Sequence, residues 1–289
     1  MPPPGQRMGF VIRSHGATDV GLKREKNEDY FLLLDEAELY ILADGMGGHA
    51  SGQVASRLTT DHIVEFITET CRQDDIQWRY PVHEGASFEE AAISNAIQYA
   101  NEQTYFKSKS DSRLEGMGTT VCVILGTERH MVIGHVGDSR VYRYRDGALV
   151  QLTRDHSLLN HYLDIGALAP EESKEFQSNN VIVRAIGLNE YVDPEIRVVE
   201  KRHGDLFLVC SDGLSDLVDD WIVQNTIESA LDDLNEIGRK LIRLANQAGG
   251  KDNITILLLR VDRIPGDDEV TDPLGVPAVR APDPRSGRE

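Results

Sequence analysis

Three apolar runs of this 289-residue chain end directly in an aspartate followed by a small residue: LYILAD before Gly45, MVIGHVGD before Ser139 and LFLVCSD before Gly213. The order reverses at Asp252-Asn253, which stands immediately ahead of ITILLL, and the pair Glu28-Asp29 opens the run Tyr30–Leu34. One such acid is explained by turn chemistry, because Asp and Gly form turns readily. Five together imply more if the run ends converge. Roughly four to six carboxylates in a small volume repel one another and lose solvation unless a cation joins them. Hard divalent cations answer that need, and magnesium or manganese suits carboxylates, water and a backbone carbonyl. The glycine after Asp44 lets the Gly45 carbonyl approach an ion without side-chain hindrance.

Other chemistries lack their patterns. The nine histidines form no HExxH and no CxxC occurs, which disfavours zinc. There is no GxSxG elbow around a serine, and Ser139 in GDSR is not read as a nucleophile. No GxxxxGK[ST] loop is present, and Gly45-Met46-Gly47-Gly48 lacks the spacing of a dinucleotide loop. Lys and Arg number 30 against 48 Asp and Glu, a net charge of −18. No basic run with interleaved aromatics occurs, so neither a nucleic-acid backbone nor an anionic membrane surface is an expected partner. No apolar stretch approaches the roughly 18 residues of a membrane span, and the first twenty residues lack the apolar segment of a signal peptide. Cys122 and Cys210 lie inside apolar runs, as buried thiols do, and Cys71 has no catalytic context. A cytoplasmic location is expected.

The elements that must position these acids are legible in outline. Of eleven prolines, Pro2–Pro4 and five in the last 25 residues bracket a stretch that holds only Pro81, Pro170 and Pro194. The folded part is therefore set at Met8–Ile264, between a flexible N-terminus (1–7) and a disordered Pro-rich acidic tail (265–289). Strands are expected at Phe10–Ile12, Tyr30–Leu34 and Leu39–Ala43. A helix follows over Ser51–Cys71 with Val54, Leu58, Ile63, Phe66 and Ile67 inward. A second opens with a capping box, Ser87 to Glu90, and carries Ile93, Ala96, Ile97 and Ala100 on one face. Strands Thr119–Leu125, His130–Val136 and Arg140–Tyr144 come next, the last turning at Asp146-Gly147 into Ala148–Leu152. The polar stretch Ser157–Asn180 reads as an inserted flap. Leu206–Cys210, a short helix near Trp221, a helix bearing Leu234, Ile237, Leu241 and Leu244 up to Gly249-Gly250, and the strand Ile254–Val261 complete the order. Strands in meanders with helices in pairs predict an α+β fold, two packed antiparallel sheets with helices outside.

Seven segments occur in order: REKNED (24–29), ADGMGGH (43–49), GTT (118–120), VGDSR (136–140), TRDHS (153–157), CSDGL (210–214) and KDNIT (251–255). In this set the chain resembles the metal-dependent protein phosphatases, the type 2C serine/threonine phosphatases, in their compact bacterial form. The likeness covers about Gly16 to Val261. It implies a four-layer α-β-β-α sandwich with a two-metal centre, Mg2+ or Mn2+, at one end, and a third, weaker metal. By position, Asp44 corresponds to the bridging ligand. Asp212 and Asp252 complete one metal and Glu28 with the Gly45 carbonyl the other. Asp138 shares the third with Asp212, and Asp29 and Asn253 correspond to groups that orient the ligands.

The resemblance further implies hydrolysis of phosphoserine and phosphothreonine esters in proteins. Two divalent ions a few ångströms apart acidify a bridging water, and the resulting hydroxide attacks phosphorus in line without a phosphoenzyme. Arg24, whose fork can take two phosphoryl oxygens, corresponds to the phosphate-binding residue. Animal members carry a histidine after the DG pair that is proposed as general acid. Met46 stands there instead, which leaves the acid unassigned between His49, itself read as a structural residue, and a metal-bound water. Leu163, Ile165 and Leu168 are flap positions that pack or touch substrate. A partner serine/threonine kinase and a monomeric state are expected by analogy. The rivals are a two-metal nuclease, opposed by the acidic surface, and a catalytically dead relative, opposed by the presence of Asp44, Asp212 and Asp252.

Overall fold

The computed structural model describes residues 9–47, 51–72, 76–169, 171–172 and 181–263. In chain order these form β1 (Phe10–Asp19), β2 (Tyr30–Leu34), β3 (Leu39–Ala43), β4 (Gly45–Met46), α1 (Ser51–Thr70), α2 (Phe88–Ser110), β5 (Gly118–Thr119), β6 (Val121–Gly126), β7 (His130–Val136), β8 (Arg140–Arg145) and β9 (Ala148–Gln151). Then come α3 (Leu158–Asp164), β10 (Glu195–Glu200), β11 (Leu206–Cys210), α4 (Asp212–Ser215), α5 (Asp220–Glu228), α6 (Leu234–Gln247) and β12 (Ile254–Arg263). Two five-stranded antiparallel sheets, ordered β1-β12-β11-β8-β9 and β10-β7-β6-β3-β2, account for the strands apart from the short pair β4-β5.

The period-two alternation of strands sorts the buried apolar side chains of the central strands into three layers. On β11 and β12, Leu206, Leu208, Cys210, Ile254, Ile256 and Leu258 face α5 and α6, whose Val223, Ile227, Ile237 and Leu241 meet them. Their neighbours Phe207, Val209, Leu257, Leu259 and Val261 face the opposite way, onto Tyr40, Leu42, Cys122, Ile124 and Ile133 of the second sheet. That sheet's outer side, Leu39, Ile41, Val121 and Val123, packs on Ile63 and Ile67 of α1 and on Ile93, Ala96 and Ile97 of α2. Strands buried on both faces read as continuous apolar runs, which is why the central strands were the plainest in the sequence.

Local signals hold where they have a backbone mechanism. The Glu90 amide donates to Ser87 Oγ and the Ser87 amide to Glu90 Oε2, the reciprocal capping box at α2. Asp146 and Gly147 take φ of 51° and 80° in the two-residue turn between β8 and β9, the left-handed pair such a hairpin needs.

Three expectations change. The strand β1 continues to Asp19 through the polar RSHGATD, because ten consecutive residues pair with β12 and tertiary pairing overrides composition. The edge strand β10 went unread, since EIRVVE is charged and largely exposed and gains its conformation from β7. On α1, Val54 is exposed, and the inward face runs through Gly52, Ala55, Ser56, Thr59 and Thr60 before reaching Ile63 and Ile67. Small residues there let the start of α1 press against β4 and β5. The N-terminal segment, the tail and most of the flap's second half (170 and 173–180) lie outside the described residues, as does His49.

Candidate metal centre

The antiparallel registers set all five acid-bearing run ends at one end of the sandwich. Tyr30 pairs with Ala43 at the end of the β2-β3 ladder, so Asp29 and Asp44 follow directly beyond that end. Val121 pairs with Val136, which puts the Gly137-Asp138 turn beyond that edge. Cys210 pairs with both Arg140 and Ile256, bringing Asp138, Asp212 and Asp252 to the ends of three adjacent strands.

Hydrogen bonds across the sheets hold this end shut. Asp29 Oδ2 accepts from Ser211 Oγ at 2.9 Å and from Thr255 Oγ1 at 2.6 Å, joining β2 to β11 and β12. The buried Asn253 accepts from the Glu28 amide at 2.8 Å and donates to the carbonyls of Val20 at 3.0 Å and Lys26 at 2.9 Å, so it pins the Val20–Glu28 loop beside Asp252. Ser56 Oγ of α1 donates to the Glu28 carbonyl at 2.6 Å. The Asp44 carbonyl accepts from the Thr120 amide and Thr119 Oγ1, both at 2.8 Å. Arg24, half exposed at the rim, donates from Nη2 to Asp252 Oδ2 at 2.6 Å.

Glycine makes the closest packing possible. A Cβ on Gly45 would lie 2.3 Å from the Gly52 carbonyl oxygen and 2.5 Å from the Glu28 carbonyl oxygen. A Cβ on Gly52 would lie 2.9 Å from both the Gly45 carbonyl oxygen and the Glu28 carboxyl carbon. The Gly45 carbonyl and the Glu28 carboxylate are thus neighbours across a space that only a hydrogen leaves open.

The electrostatics are those of crowded carboxyls. Burial, then Asp29, Asp212, Asp138 and Asp252, pushes the Asp44 carboxyl well above the ordinary carboxylate range. Burial, then Asp138 and Asp252, raises Asp212 to about 8. Burial and the charge of Asp155 raise Asp138 to about 6. Burial raises Asp29 to about 6 against the lowering effect of its bonds from Thr255 and Ser211. Among the described residues, Oδ1 of Asp29, of Asp138 and of Asp212 are buried without a hydrogen-bond donor. Buried lone pairs on mutually repelling carboxyls, with a carbonyl alongside, fit the oxygen donor set that magnesium and manganese take.

A family profile described as Protein phosphatase 2C matches residues 23–258. The chain belongs to that family. The serine/threonine protein phosphatase PstP of Mycobacterium tuberculosis (strain ATCC 25618 / H37Rv) is 35% identical over 277 residues, 96% of this chain and 50% of PstP, so the chain spans about half the length of that relative. The serine/threonine phosphatase stp of Listeria monocytogenes (serovar 1/2a) is 34% identical over 252 residues, 85% of this chain and 94% of stp. The crystal structure of M. tuberculosis PstP/Ppp superposes with a TM-score of 0.75 at 34% identity, covering 87% of this chain and 99% of that one. The PstP catalytic domain in complex with two manganese ions gives 0.72 at 34% identity, covering 88% and 99%. The α+β sandwich with helices outside is therefore the fold of solved protein phosphatase 2C structures.

Within this member of the protein phosphatase 2C family, several residues at the centre were not singled out from sequence. Gly52 and Ser56 lie outside the seven quoted segments, whereas Thr120, Ser211 and Thr255 lie inside GTT, CSDGL and KDNIT without a role having been given to them; all five act through contacts with partners far along the chain. Asp216 had a local signature, because it lies four residues after Asp212 on the same helical turn. It lines a cleft of about 690 Å³ with Asp138, Arg140, Asp155, Asn160 and Asp212. In that cleft Arg140 spends its fork on Asp155 (Nη2 to Oδ2 2.7 Å, Nε to Oδ2 3.0 Å) and so shapes the wall facing α3. Of the flap positions, Ile165 is exposed and Leu163 and Leu168 are partly buried.

Proposed function

We propose that this protein phosphatase 2C member is a magnesium- or manganese-dependent serine/threonine phosphatase acting on phosphorylated proteins. The observation that carries the reading is the convergence of five acid-bearing strand ends on one spot where three carboxylate oxygens are buried without donors. Asp44 would lie between two ions, with Asp212 and Asp252 on one and Glu28 with the Gly45 carbonyl on the other. Asp138 with Asp212 would hold a third ion. Two divalent ions so held supply Lewis-acid polarisation of the phosphoryl group and an acidified water.

The chain's own groups do the rest. Asp29 and Asn253 orient the ligands through the bonds given above, and Arg24 binds the phosphoryl oxygens after exchanging its bond to Asp252 for them. Position 46 is a methionine without a titratable proton, so protonation of the leaving alkoxide falls to a donor elsewhere. Phosphoproteins made by a serine/threonine kinase are the substrates, and signalling by a cytoplasmic monomer is the setting. Three free thiols support the location, two of them buried. Light scattering tests the monomer.

The test is hydrolysis of p-nitrophenyl phosphate and of a phosphothreonine peptide with manganese, with magnesium and with chelator, for wild type and Asp44→Ala. Phosphate release that needs metal and vanishes in Asp44→Ala is expected. Metal binding without release of phosphate from either compound would overturn the reading.

A further inference from the structure

The segment TRDHS (153–157) supplies no metal ligand, yet its His156 holds the turn that carries Asp138. The His156 amide donates to the Gly137 carbonyl at 2.9 Å, and the Gly137 amide donates to Nδ1 of the His156 ring at 3.1 Å. One residue thus engages the peptide groups on both sides of the Gly137 Cα, and Asp138 follows directly. Gly137 takes φ of 112°, and a Cβ there would lie 2.6 Å from Cβ and Cγ2 of Thr120, whose Oγ1 meets Ser139 Oγ at 2.8 Å. Close packing on Thr120 and the two bonds to His156 leave this turn little freedom.

The His156 ring is itself fixed. Its side chain is 10% exposed and stacks on His135, with 4.6 Å between ring centroids and 17° between planes. His135 Nε2 donates to the Arg154 carbonyl at 3.0 Å, which anchors the lower ring of the stack. The His156 carbonyl accepts from the Val183 amide at 2.9 Å, and the Leu158 amide donates to the Val181 carbonyl at 2.8 Å. The two described arms at the base of the flap therefore meet at His156.

Coordinating atoms of His135, His156 and Glu195 lie within 4.8 Å of one another, close enough for a metal ion. The protons oppose one. A backbone amide can only donate, so His156 Nδ1 keeps its lone pair and the neutral ring carries its proton on Nε2, 3.8 Å from Glu195 Oε2. An ion on Nε2 would drive that proton to Nδ1, against the Gly137 amide, and would meet the Arg184 guanidinium, whose Nη1 is 3.3 Å from Nε2. Burial, then His135 and Arg184, lowers the ring to about 3, so it stays neutral and remains an acceptor. The arrangement presents a lone pair to Gly137 rather than a ligand to a cation.

We propose that His156 is a positioning residue for the third-ion site, setting the direction of the Asp138 carboxylate through Gly137. The inference rests on the reading above in which Asp138 and Asp212 share a third ion. Asp138 Oδ1 is buried without a donor, so no hydrogen bond aims that oxygen and the backbone that carries it must. The test is manganese titration calorimetry on wild type, Asp138→Asn, His156→Phe and His156→Asn, with the Gly137 amide followed by 15N NMR in the metal-free proteins. Phenylalanine keeps a ring for the stack and removes the acceptor, whereas asparagine puts Oδ1 where Nδ1 stood. His156→Phe should weaken the weak manganese step about 10–100-fold, as loss of a group that orients ligands does, and leave the tight steps in place. It should also move the Gly137 amide proton upfield, and His156→Asn should restore both signals. A weak step of wild-type strength in His156→Phe, together with its loss in Asp138→Asn, overturns this proposal and leaves the third ion standing. A His156→Asn protein that binds no better than His156→Phe overturns it too, since the ring would then be structural only. A weak step that survives Asp138→Asn, or is absent from wild type, removes the third ion from Asp138 and the inference with it. If His156→Phe fails to fold, His156→Gln, whose carbonyl lies one bond farther out than Nδ1, takes its place beside His156→Asn.

Discussion

Replacing Gly52 by alanine adds a single methyl group 2.8 Å from the Gly45 carbonyl carbon and 2.9 Å from the Glu28 carboxyl carbon. Ordinary carbon contacts are about 3.5–4.0 Å, so something must retreat by roughly 0.6 Å or more. The Gly45 backbone is poorly placed to do so. It pairs with Thr119, and the preceding Asp44 carbonyl holds two hydrogen bonds. The Glu28 carboxylate and the first turn of α1 are the parts that give way. For stability the terms oppose each other: alanine in place of glycine in a helix gains about 0.5–1 kcal/mol, and overpacking costs about 1–3 kcal/mol. The net effect on the metal-free fold is then a loss of about 0–2.5 kcal/mol. Metal affinity has no such compensation. Disturbing groups that orient ligands costs about 10–100-fold, or roughly 1.4–2.7 kcal/mol. Titration calorimetry with manganese on wild type and Gly52→Ala, with the melting temperature of each metal-free protein as control, reads this directly. A variant that folds normally and binds manganese with wild-type affinity would refute the argument that α1 walls the Glu28–Gly45 gap.

Three further outcomes follow from the same geometry. Asp138 and Asp29 titrate near 6 and Asp212 near 8, all above the unfolded value of about 4. Their protonated forms favour the metal-free fold, fully below about pH 4, and that contribution is lost as pH rises through 6 to 8. The metal-free melting temperature should accordingly fall between pH 5 and 8, manganese should restore more at pH 8 than at pH 6, and calorimetry in buffers of different ionisation enthalpy should show proton release on binding; a metal-free melting temperature that climbs across that window contradicts the assignment. Asn253→Ala strands the Val20 and Lys26 carbonyls and the Glu28 amide, and should cost about 1–3 kcal/mol in urea denaturation while weakening manganese binding. Lys201→Met removes the buried partner of Glu38, 3.0 Å away, and should cost about 3–5 kcal/mol with the turnover of the folded fraction unchanged; a loss under 1 kcal/mol would mean that Glu38 is satisfied without it.

What could be read in advance divides along a physical line. Apolar alternation, a capping box and a Asp-Gly hairpin are local, and each located its element. The polar half of β1 and the edge strand β10 were missed because neighbouring strands, β12 and β7, impose their conformation. The acids were found as separate run ends, and the resemblance ordered them. Of their support the resemblance named Asp29 and Asn253, but not the hydroxyls that hold Asp29, since Thr255 and Asp29 meet across 226 positions and Ser211 and Asp29 across 182.

The difference between ligand and support has a cause in the energetics. A carboxylate at a strand tip announces itself because charge beside an apolar run is costly unless something else is gained. A serine or threonine that donates to that carboxylate looks like any half-buried strand residue. A glycine in the first turn of a helix looks like a weak helix former until its neighbour is known to be another glycine on a different element. At Gly45 and Gly52 the absent side chains are the feature, for each leaves room for the other's carbonyl oxygen. Periodicity is blind to such pairs because it scores what a side chain adds along its own element. The closeness of α1 to the Glu28 carboxylate depends instead on what two side chains leave out.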